Sequence, residues 1–416
     1  MQQILDLHIH SKYSRACSPQ LTLSNIEKAC RIKGVDIIAT GDFTYPAWFK
    51  NIKQELEEIN TGLYKLKTAK DDKIKFILST ELSLIYKSGD KARRIHIMLH
   101  APNIKAVEKL NNFLDTKFNI RSDGRPILGI SAPELVKLCL SIDPKFLIYP
   151  AHIWTPWFSV FGSKSGFDSM QECFQEQTKH IYAIETGLSS DPAMNWRLSS
   201  LDKLTILSNS DAHSLLNIGR EANVMDLEKI TYDEIYNIIK NKSDKLKYTI
   251  EFYPEEGMYH FDGHRNCNFS CDPKTSVKNN NICPKCKKPL IIGVMNRVEQ
   301  LADRPEGYRL KKAANFKKLV GLDKIIAESM GIKSRQSKKV IEQYNNLIKE
   351  FKNELNILLN ADIDEIKKAN WPEIALGIKK VRQGDLIILP GFDGQYGSIN
   401  IFHDHEKIFN KQNSMF

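Results

Sequence analysis

The sequence predicts an α/β fold for residues 1–256, because short apolar runs rich in β-branched residues alternate there with amphipathic stretches. The runs cover residues 4–9, 35–40, 74–84, 94–99, 146–150, 181–184 and 204–207. Helical stretches lie between them, for example at 23–33 and 48–60. This alternation favours a mainly parallel sheet. Seven strands in about 250 residues suit a barrel of the triosephosphate isomerase type, regular or irregular, and an open doubly wound sheet is the alternative.

Two further regions follow a boundary at residues 253–257. Residues 257–307 are rich in Cys, Asn, Lys and Pro and have little periodic apolar pattern, whereas 308–416 are α-rich. Apolar residues at steps of three and four predict one long helix over 340–358, and a second helix runs from Pro372 to about Gly384. Residues 386–402 predict two short strands around a glycine-rich turn. We therefore expect three domains, 1–256, 257–307 and 308–416.

The composition is that of a globular protein, with 42% apolar and 26% charged residues and no run of apolar residues long enough to span a membrane. The first residues lack the pattern of a secretory signal, so we expect a cytoplasmic protein. The net charge of +10 is uneven. Residues 1–256 hold 33 basic and 32 acidic residues, 257–307 hold 8 and 5, and 308–416 hold 19 and 13. A basic second part suits nucleic acid, although a solvated lysine-rich surface would give the same excess.

Histidine and acidic residues recur at or near the ends of the predicted strands, where parallel α/β folds place their sites. A His-x-His pair on a strand directs both imidazoles to one side. Imidazole with carboxylate suits Zn, Mn or Fe, and a carboxylate can bridge two metals. Each pair alone would be weak, but the recurrence at six strands predicts a metal centre. The candidate ligands are His8, His10, Asp42, Glu81, His96, His152, Asp211 and His213. His100 is the alternative to His96, and we interpret His403 and His405 as surface residues.

Four of the eight cysteines form a second cluster. Cys267 and Cys271 precede Cys283 and Cys286, and two closely spaced pairs of this kind are typical of a structural zinc site. The ion would replace an apolar core that this lysine-rich segment cannot form. His260 and His264 lie just ahead and could each replace a cysteine, but four thiolates suffice. The lobe could still contact a ligand through its basic residues.

The order of the ligands from His8 to His213 resembles the polymerase-and-histidinol-phosphatase (PHP) phosphoesterase family over residues 1 to about 225. The resemblance implies an irregular seven-stranded barrel with two or three divalent metals, which would be Zn, Mn or Mg. Many members carry a further His or Asp about five residues after the first pair, but residues 11–18 contain neither. The resemblance also implies that Asp42, Asp211 and His213 serve catalysis, with a metal-activated water as the nucleophile.

Further motifs resemble one PHP subgroup, the endonuclease Q family of DNA repair enzymes, in the same order over nearly the whole chain. They are GDFT at 41–44, FGSKSGFDS at 161–169, ETGLSSDP at 185–192, SNSDAHS at 208–214, DGHR at 262–265, the four cysteines, RVEQLADR at 297–304 and PGFDG at 390–394. The resemblance implies cleavage of DNA on the 5′ side of a deaminated base (uracil, hypoxanthine or xanthine) or an abasic site. The resemblance makes such DNA the expected partner, together with replication or repair factors. It implies no association with a membrane.

The loops at the metal face hold the candidate substrate contacts. Exposed aromatic residues at 154–161, Trp157 above all, could stack on a base, although ordinary loop packing is an equal alternative. The further candidates are Lys164, Ser189, Ser190, Asn195 and Arg197. Two other functions remain open: a small-molecule phosphatase, such as histidinol-phosphate phosphatase, and a non-catalytic DNA-binding protein on a PHP scaffold.

Overall fold

The computed structural model describes residues 1–369, 371–403 and 406 and has the α/β fold that the sequence predicts. The strands are β1 Gln2–Asp6, β2 Ile37–Ala39, β3 Leu56–Asn60, β4 Leu63–Leu66, β5 Lys75–Ile77, β6 Ser79–Ser88, β7 Lys91–His100, β8 Ile127–Leu128, β9 Leu147–Pro150, β10 Ala183–Glu185, β11 Thr205–Leu207, β12 Ala222–Asp226, β13 Leu246–Glu251, β14 Asp262–His264, β15 Phe269–Cys271, β16 Asn315–Lys318, β17 Ile387–Leu389 and β18 Ser398–Asn400. The helices are α1 Leu23–Lys33, α2 Pro46–Glu55, α3 Ile104–Lys117, α4 Ala132–Ile142, α5 Met170–Phe174, α6 Pro192–Asn195, α7 Tyr232–Lys240, α8 Pro273–Lys278, α9 Val294–Leu301, α10 Leu322–Ser329, α11 Lys338–Phe351, α12 Glu354–Leu359, α13 Ile363–Lys368 and α14 Pro372–Gln383.

The sheets of the first part mix parallel and antiparallel pairing. An eight-stranded sheet has the order β16-β13-β12-β1-β2-β5-β4-β3, a four-stranded sheet has the order β8-β6-β7-β9, and β10 pairs with β11. The strands β1, β2 and β5 are parallel, but β12 is antiparallel to β1 and β7 is antiparallel to both β6 and β9. The expected mainly parallel sheet is therefore wrong. A turn at Gly89 and Asp90 joins β6 to β7, and strands joined so closely can pair only antiparallel. Closure into one barrel stays a prediction.

Two predicted elements of the first part divide into two. The helix predicted over 48–60 ends at Glu55, because residues 56–60 pair with β4 as β3. Gly62, at φ +73, closes the turn between these two strands. The apolar run at 74–84 contains both β5 and β6, which belong to different sheets. Continuous apolar character indicates burial on both faces, but it does not reveal where a strand changes sheets.

The α-rich C-terminal region is confirmed, with one change. The helix predicted over 340–358 ends at Phe351, where Lys352 has φ +76 and Asn353 starts α12 by accepting a hydrogen bond from the backbone of Asn356. An Asn side chain that satisfies a free backbone N–H favours a new helix start over continuation. Helix α14 begins at Pro372 and ends before Gly384, and β17 and β18 form the expected hairpin. His405 lies outside the described residues.

The later regions are joined to the first part by pairing and by buried polar contacts. Strand β16 extends the eight-stranded sheet by pairing parallel to β13. The buried guanidinium of Arg297, on α9, donates to the carbonyl oxygens of Phe161 (3.1 Å) and Phe167 (3.0 Å). One continuous apolar core extends from Leu5 to Phe402. In the described ranges, no helix is both long and apolar enough to cross a membrane.

Candidate metal centre

The histidines and carboxylates from several strands meet at one place in the first part of the chain. His8 and His10 follow β1, and their rings lie 5.4 Å apart. Glu81 is on β6 and His96 on β7, whereas His152 and Asp211 lie in the loops after β9 and β11. These positions are separated widely in sequence, so the fold itself creates the cluster.

The first donor group consists of His8, His10, Glu81 and Asp211, whose ligand atoms all lie within 4.8 Å of one another. The Nε2 atom of His10 is 3.2 Å from Asp211 Oδ1 and 3.3 Å from Glu81 Oε2. Among the residues that the structure describes, the buried atoms His8 Nε2, His10 Nε2 and Asp211 Oδ1 have no hydrogen-bond partner. Burying a polar atom without a partner costs free energy, and a cation bound between these atoms would give each of them a partner. Their convergence therefore fits a cation site.

The second donor group consists of Glu81, His96 and His152. Glu81 Oε1 lies 2.8 Å from His96 Nδ1 and 3.0 Å from His152 Nε2, and these two ring nitrogens are 3.1 Å apart. The other oxygen of Glu81 belongs to the first group, so this carboxylate joins the two. A bridging carboxylate with imidazoles on both sides suits a pair of divalent transition metals.

Two acidic residues hold the first two histidines by their Nδ1 atoms. Both carboxylate oxygens of Glu185 lie 3.1 Å from His8 Nδ1, and Asp42 Oδ1 lies 3.0 Å from His10 Nδ1. When Nδ1 carries the hydrogen, the lone pair of the ring lies on Nε2, which faces the centre and can bind an ion. Glu185 directly follows a predicted strand, so the rule that found the other ligands would also have found it.

The electrostatics of the centre also favour cations. Burial would raise the pKa of Glu81, but the charges of His96, Arg125 and His8 outweigh it and hold this pKa well below its usual range. Burial likewise opposes ionisation of Asp211, yet His8 and His10 lower its pKa. Both carboxylates are therefore charged at neutral pH in a buried place. A cation bound here would take the place of the protons on His8 and His10, and the resulting set of carboxylates and neutral imidazoles fits Zn or Mn.

Three residues of the site have backbone conformations that side-chain-bearing residues rarely adopt. The φ angles are +48° at Asp42, +30° at His152 and +46° at Asp211. Each residue follows a strand closely, and the left-handed turn lets the chain leave the sheet there. Such strain is concentrated at functional sites, and nothing in the sequence reveals it.

The remaining predicted ligands lie beside the two groups. Asp42 accepts hydrogen bonds from His10, Ser11 and Ser14, which places it behind His10. The ring of His213 lies 4.7 Å from that of His10, and its Nδ1 is 2.8 Å from the carbonyl oxygen of Asp211. His100 is apart from both groups, with its Nε2 3.0 Å from the hydroxyl of Tyr149.

The cysteine-rich lobe brings together His264, Cys267, Cys283 and Cys286. Cys271, which we expected in this set, lies outside it. In the hairpin of β14 and β15, Cys271 is opposite Asp262, whereas His264 is two residues closer to the turn that contains Cys267. Three cysteines and one histidine are an ordinary donor set for structural zinc.

The predicted substrate contacts divide into buried and accessible residues. Asn195 is fully buried, and it accepts from Trp154 Nε1 (2.8 Å) and donates to Ser190 and to the backbone of Asp191. Arg197, also buried, pairs with Glu299. These groups are used within the protein, so the structure does not present them to a base. Ser189 is half-buried, whereas Lys164 and Trp157 are exposed, and Trp157 lies 5.8 Å from the ring of Tyr259 in the lobe.

Comparison with protein families and with curated sequences identifies relatives over different lengths. Residues 321–385 match the family described as the MJ0043 C-terminal domain. The uncharacterized protein MJ0043 of Methanocaldococcus jannaschii is 34% identical over 254 residues, which are 59% of this chain and 31% of that protein. The match therefore spans less than a third of that relative. The uncharacterized protein YqxK of Bacillus subtilis is 28% identical over 411 residues, covering 95% of this chain and 98% of that one.

Two solved structures resemble the chain over its whole length. The lesion-specific endonuclease PfuEndoQ from Pyrococcus furiosus has a TM-score of 0.86 and 30% identity, with 100% of both chains covered. Endonuclease Q in complex with a 27-mer duplex substrate, with an abasic lesion at its active site, has a TM-score of 0.84 and 31% identity, with 98% of each chain covered. At this identity and coverage the resemblance extends beyond the fold, and the chain belongs to the endonuclease Q family.

Proposed function

We propose that this protein is a metal-dependent DNA endonuclease that cleaves the backbone at damaged sites. The observation that carries the proposal is the pair of donor groups joined by Glu81, in a chain that matches a lesion-specific endonuclease from end to end. The finer part of the proposal is the substrate: a deaminated base (uracil, hypoxanthine or xanthine) or an abasic site, with cleavage on its 5′ side. Partnership with replication or repair factors stays a prediction.

In this proposal the first donor group would hold one divalent ion and the second group would hold another, and Glu81 belongs to both groups. Such ions supply Lewis-acid charge and lower the pKa of a water. The protein contributes the orientation of the ligands. Glu185 and Asp42 fix the rings of His8 and His10, so that these imidazoles keep one tautomer and one direction.

His213 is placed to move a proton at the rim of the centre. Its Nδ1 donates to the carbonyl oxygen of Asp211, because a carbonyl oxygen can only accept. Burial lowers the pKa of His213, so the ring is neutral at pH 7 and its Nε2 carries the lone pair. The imidazole is 30% exposed, which leaves it accessible to solvent. We assign to its Nε2 the acceptance of a proton from the attacking water, a proton that can then pass to the leaving 3′-oxygen.

The DNA contacts come from the rim and from the later regions of the chain. Nine of the ten excess positive charges lie in residues 257–416, as the segment counts give. The lobe is fixed against the loop at 161–168 by Arg297, so its basic surface has a fixed position relative to the centre. Trp157 and Tyr259 lie where the first part and the lobe meet. Trp157 is exposed and Tyr259 is half-buried, and an exposed aromatic ring can stack on an unpaired base.

The test uses labelled duplexes that differ at one position: normal, uracil, hypoxanthine and abasic. With Mn, Mg or Zn added, we expect one nick on the 5′ side of the lesion, leaving a 3′-hydroxyl and a 5′-phosphate, and no nick in the normal duplex. Asp211→Asn should abolish most of the nicking, because Asp211 belongs to the first donor group, and it should leave the circular dichroism spectrum unchanged. Tight binding without nicking would support a non-catalytic DNA-binding protein. Turnover of small phosphomonoesters alone would support a phosphatase.

A further inference from the structure

We propose that Arg125 binds a non-bridging oxygen of the scissile phosphodiester, as a cationic side chain beside the metal centre. The inference rests on the proposed endonuclease function and adds to it a substrate-binding residue. Arg125 lies between α3 and β8 in the chain, in a loop that contains none of the residues that hold metal in the proposal.

The guanidinium of Arg125 contacts the metal centre with one of its nitrogen atoms and has further N–H groups that are not bonded there. Its Nη1 lies 2.9 Å from Glu81 Oε2, the carboxylate that joins the two donor groups. This is its sole hydrogen bond with the residues that the structure describes, so the other N–H groups have no protein acceptor. The side chain is 25% exposed, so the residue is partly accessible to solvent. An arginine fork with free N–H groups fits the geometry of a phosphate.

The loop of Arg125 is held rigidly at this position. Asp123 Oδ1 accepts from the backbone N–H groups of Arg125 (2.9 Å) and Arg15 (3.3 Å). The N–H of Gly124 donates to the carbonyl oxygen of Tyr13 (3.0 Å), and the carbonyl oxygen of Pro126 accepts from Ser83 (3.1 Å). A side chain carried by such a loop is pre-organised, so little ordering entropy is lost when it binds.

The same loop closes the flank of the centre next to Asp42. A Cβ atom at Gly124 would overlap Asp42 Oδ2 and Ser14 Oγ, so only glycine fits. Asp42 Oδ2 already accepts from the backbone N–H (2.7 Å) and hydroxyl (2.6 Å) of Ser11 and from Ser14 (2.9 Å). Protein atoms therefore occupy the surroundings of this carboxylate. The guanidinium of Arg125 supplies a positive charge on this flank.

A purely structural role is the competing explanation, because Arg125 also neutralises the buried Glu81. The two roles differ in what they require of the DNA. A contact with the phosphate depends on the negative charge of that one phosphate, whereas support of Glu81 does not. A methylphosphonate at the scissile position removes the charge and leaves the rest of the duplex intact, so it separates the two roles in a binding experiment.

The experiment measures binding of an abasic-site duplex by fluorescence anisotropy in an Asp211→Asn background, with either a phosphodiester or a methylphosphonate at the scissile position. We expect Arg125→Ala to weaken binding of the phosphodiester duplex by about 10- to 100-fold, as for the loss of a charged hydrogen bond. Binding of the methylphosphonate duplex should not change, and Arg125→Lys should recover part of the affinity. Arg121→Ala, in the same loop and paired with Asp115 at the surface, is the matched control and should bind like the background.

Metal content of each purified variant, measured by mass spectrometry, completes the test. Equal loss of affinity for both duplexes, no loss for either, or loss of metal in Arg125→Ala would each overturn the inference. If the wild-type protein nicks specifically at the lesion while these results contradict a phosphate contact, the proposed function stands and this inference alone falls. If the wild-type protein neither binds nor nicks lesion DNA, both fall.

Discussion

The buried carboxylates Glu251 and Glu221 predict a stability that falls with rising pH. Both are fully buried. Burial, with the nearby charge of Asp191, raises the pKa of Glu251 from 4.5 to about 8, although hydrogen bonds from Thr249 and Thr186 oppose the rise. Burial and the charge of Glu251 raise the pKa of Glu221 well above its usual range. Glu221 Oε2 has no hydrogen-bond partner among the described residues.

The direction of this pH dependence follows from the number of protons bound by the folded and unfolded chains. Between pH 4.5 and about 8 the folded protein holds a proton on Glu251 that the unfolded chain has lost. The contribution of Glu251 to the free energy of unfolding therefore falls as pH rises through this window, by about 1.4 kcal/mol per pH unit, and it is constant above the window. The full span corresponds to at most about 5 kcal/mol, and the part between pH 6 and 8 to about 2–3 kcal/mol.

Replacing Glu251 by Gln keeps the shape and removes the charge, so the variant should lack this slope. We expect Glu251→Gln to unfold at nearly the wild-type urea concentration at pH 5 and at a clearly higher one at pH 8.5. Urea unfolding followed by circular dichroism across that range measures the difference, in which the titrating groups that do not interact with Glu251 cancel. Glu350→Gln, an exposed position on α11, is the control and should follow the wild type throughout. A difference between Glu251→Gln and wild type that does not change with pH would refute the reasoning.

Two further predictions concern the metals. Glu185→Gln removes the carboxylate that orients His8, so we expect metal affinity in the centre to fall by about 10- to 100-fold, as measured by Mn or Zn titration; an unchanged affinity would mean that Glu185 does not act through His8. In the lobe, His264→Ala should lower the zinc content by one ion per chain and reduce the melting temperature, whereas Cys271→Ser should retain the zinc. If Cys271→Ser lost the zinc and His264→Ala retained it, the four cysteines would be the ligands instead.

Much of the centre could be predicted from the sequence because strand ends are visible as the limits of apolar runs. His8, His152 and Asp211 lie at or near such limits, whereas Glu81 lies within the run at 74–84, and the structure brings all four together. Arg125 could not be found, because its loop carries no periodic pattern and its pairing with Glu81 depends on the fold.

In two places the structure differs from what residue type and spacing indicate, for physical reasons. Asn195 and Arg197 are polar and lie in a motif, but their donors and acceptors are used inside the protein. Polarity does not reveal whether a side chain is free to bind. Cys271 has the spacing of a zinc ligand, but the register of β14 and β15 brings His264 to the site instead. Strand order has the same limitation, since an apolar run does not indicate the direction of its partner.

How the basic regions are attached to the first part of the chain decides how their contribution to DNA binding can be tested. If residues 308–416 were a separate tail, deleting them would remove their charge and leave the rest of the fold intact. Strand β16 lies in that segment and pairs with β13, and Glu354 forms a buried ion pair with Lys33 on α1 (2.6 Å). Deletion would expose a strand edge and leave a lysine unpaired, so weaker DNA binding after truncation would report unfolding as much as lost charge. The basic regions therefore act as parts of one rigid surface, and their contribution to DNA binding has to be measured by substituting exposed lysines in the full chain.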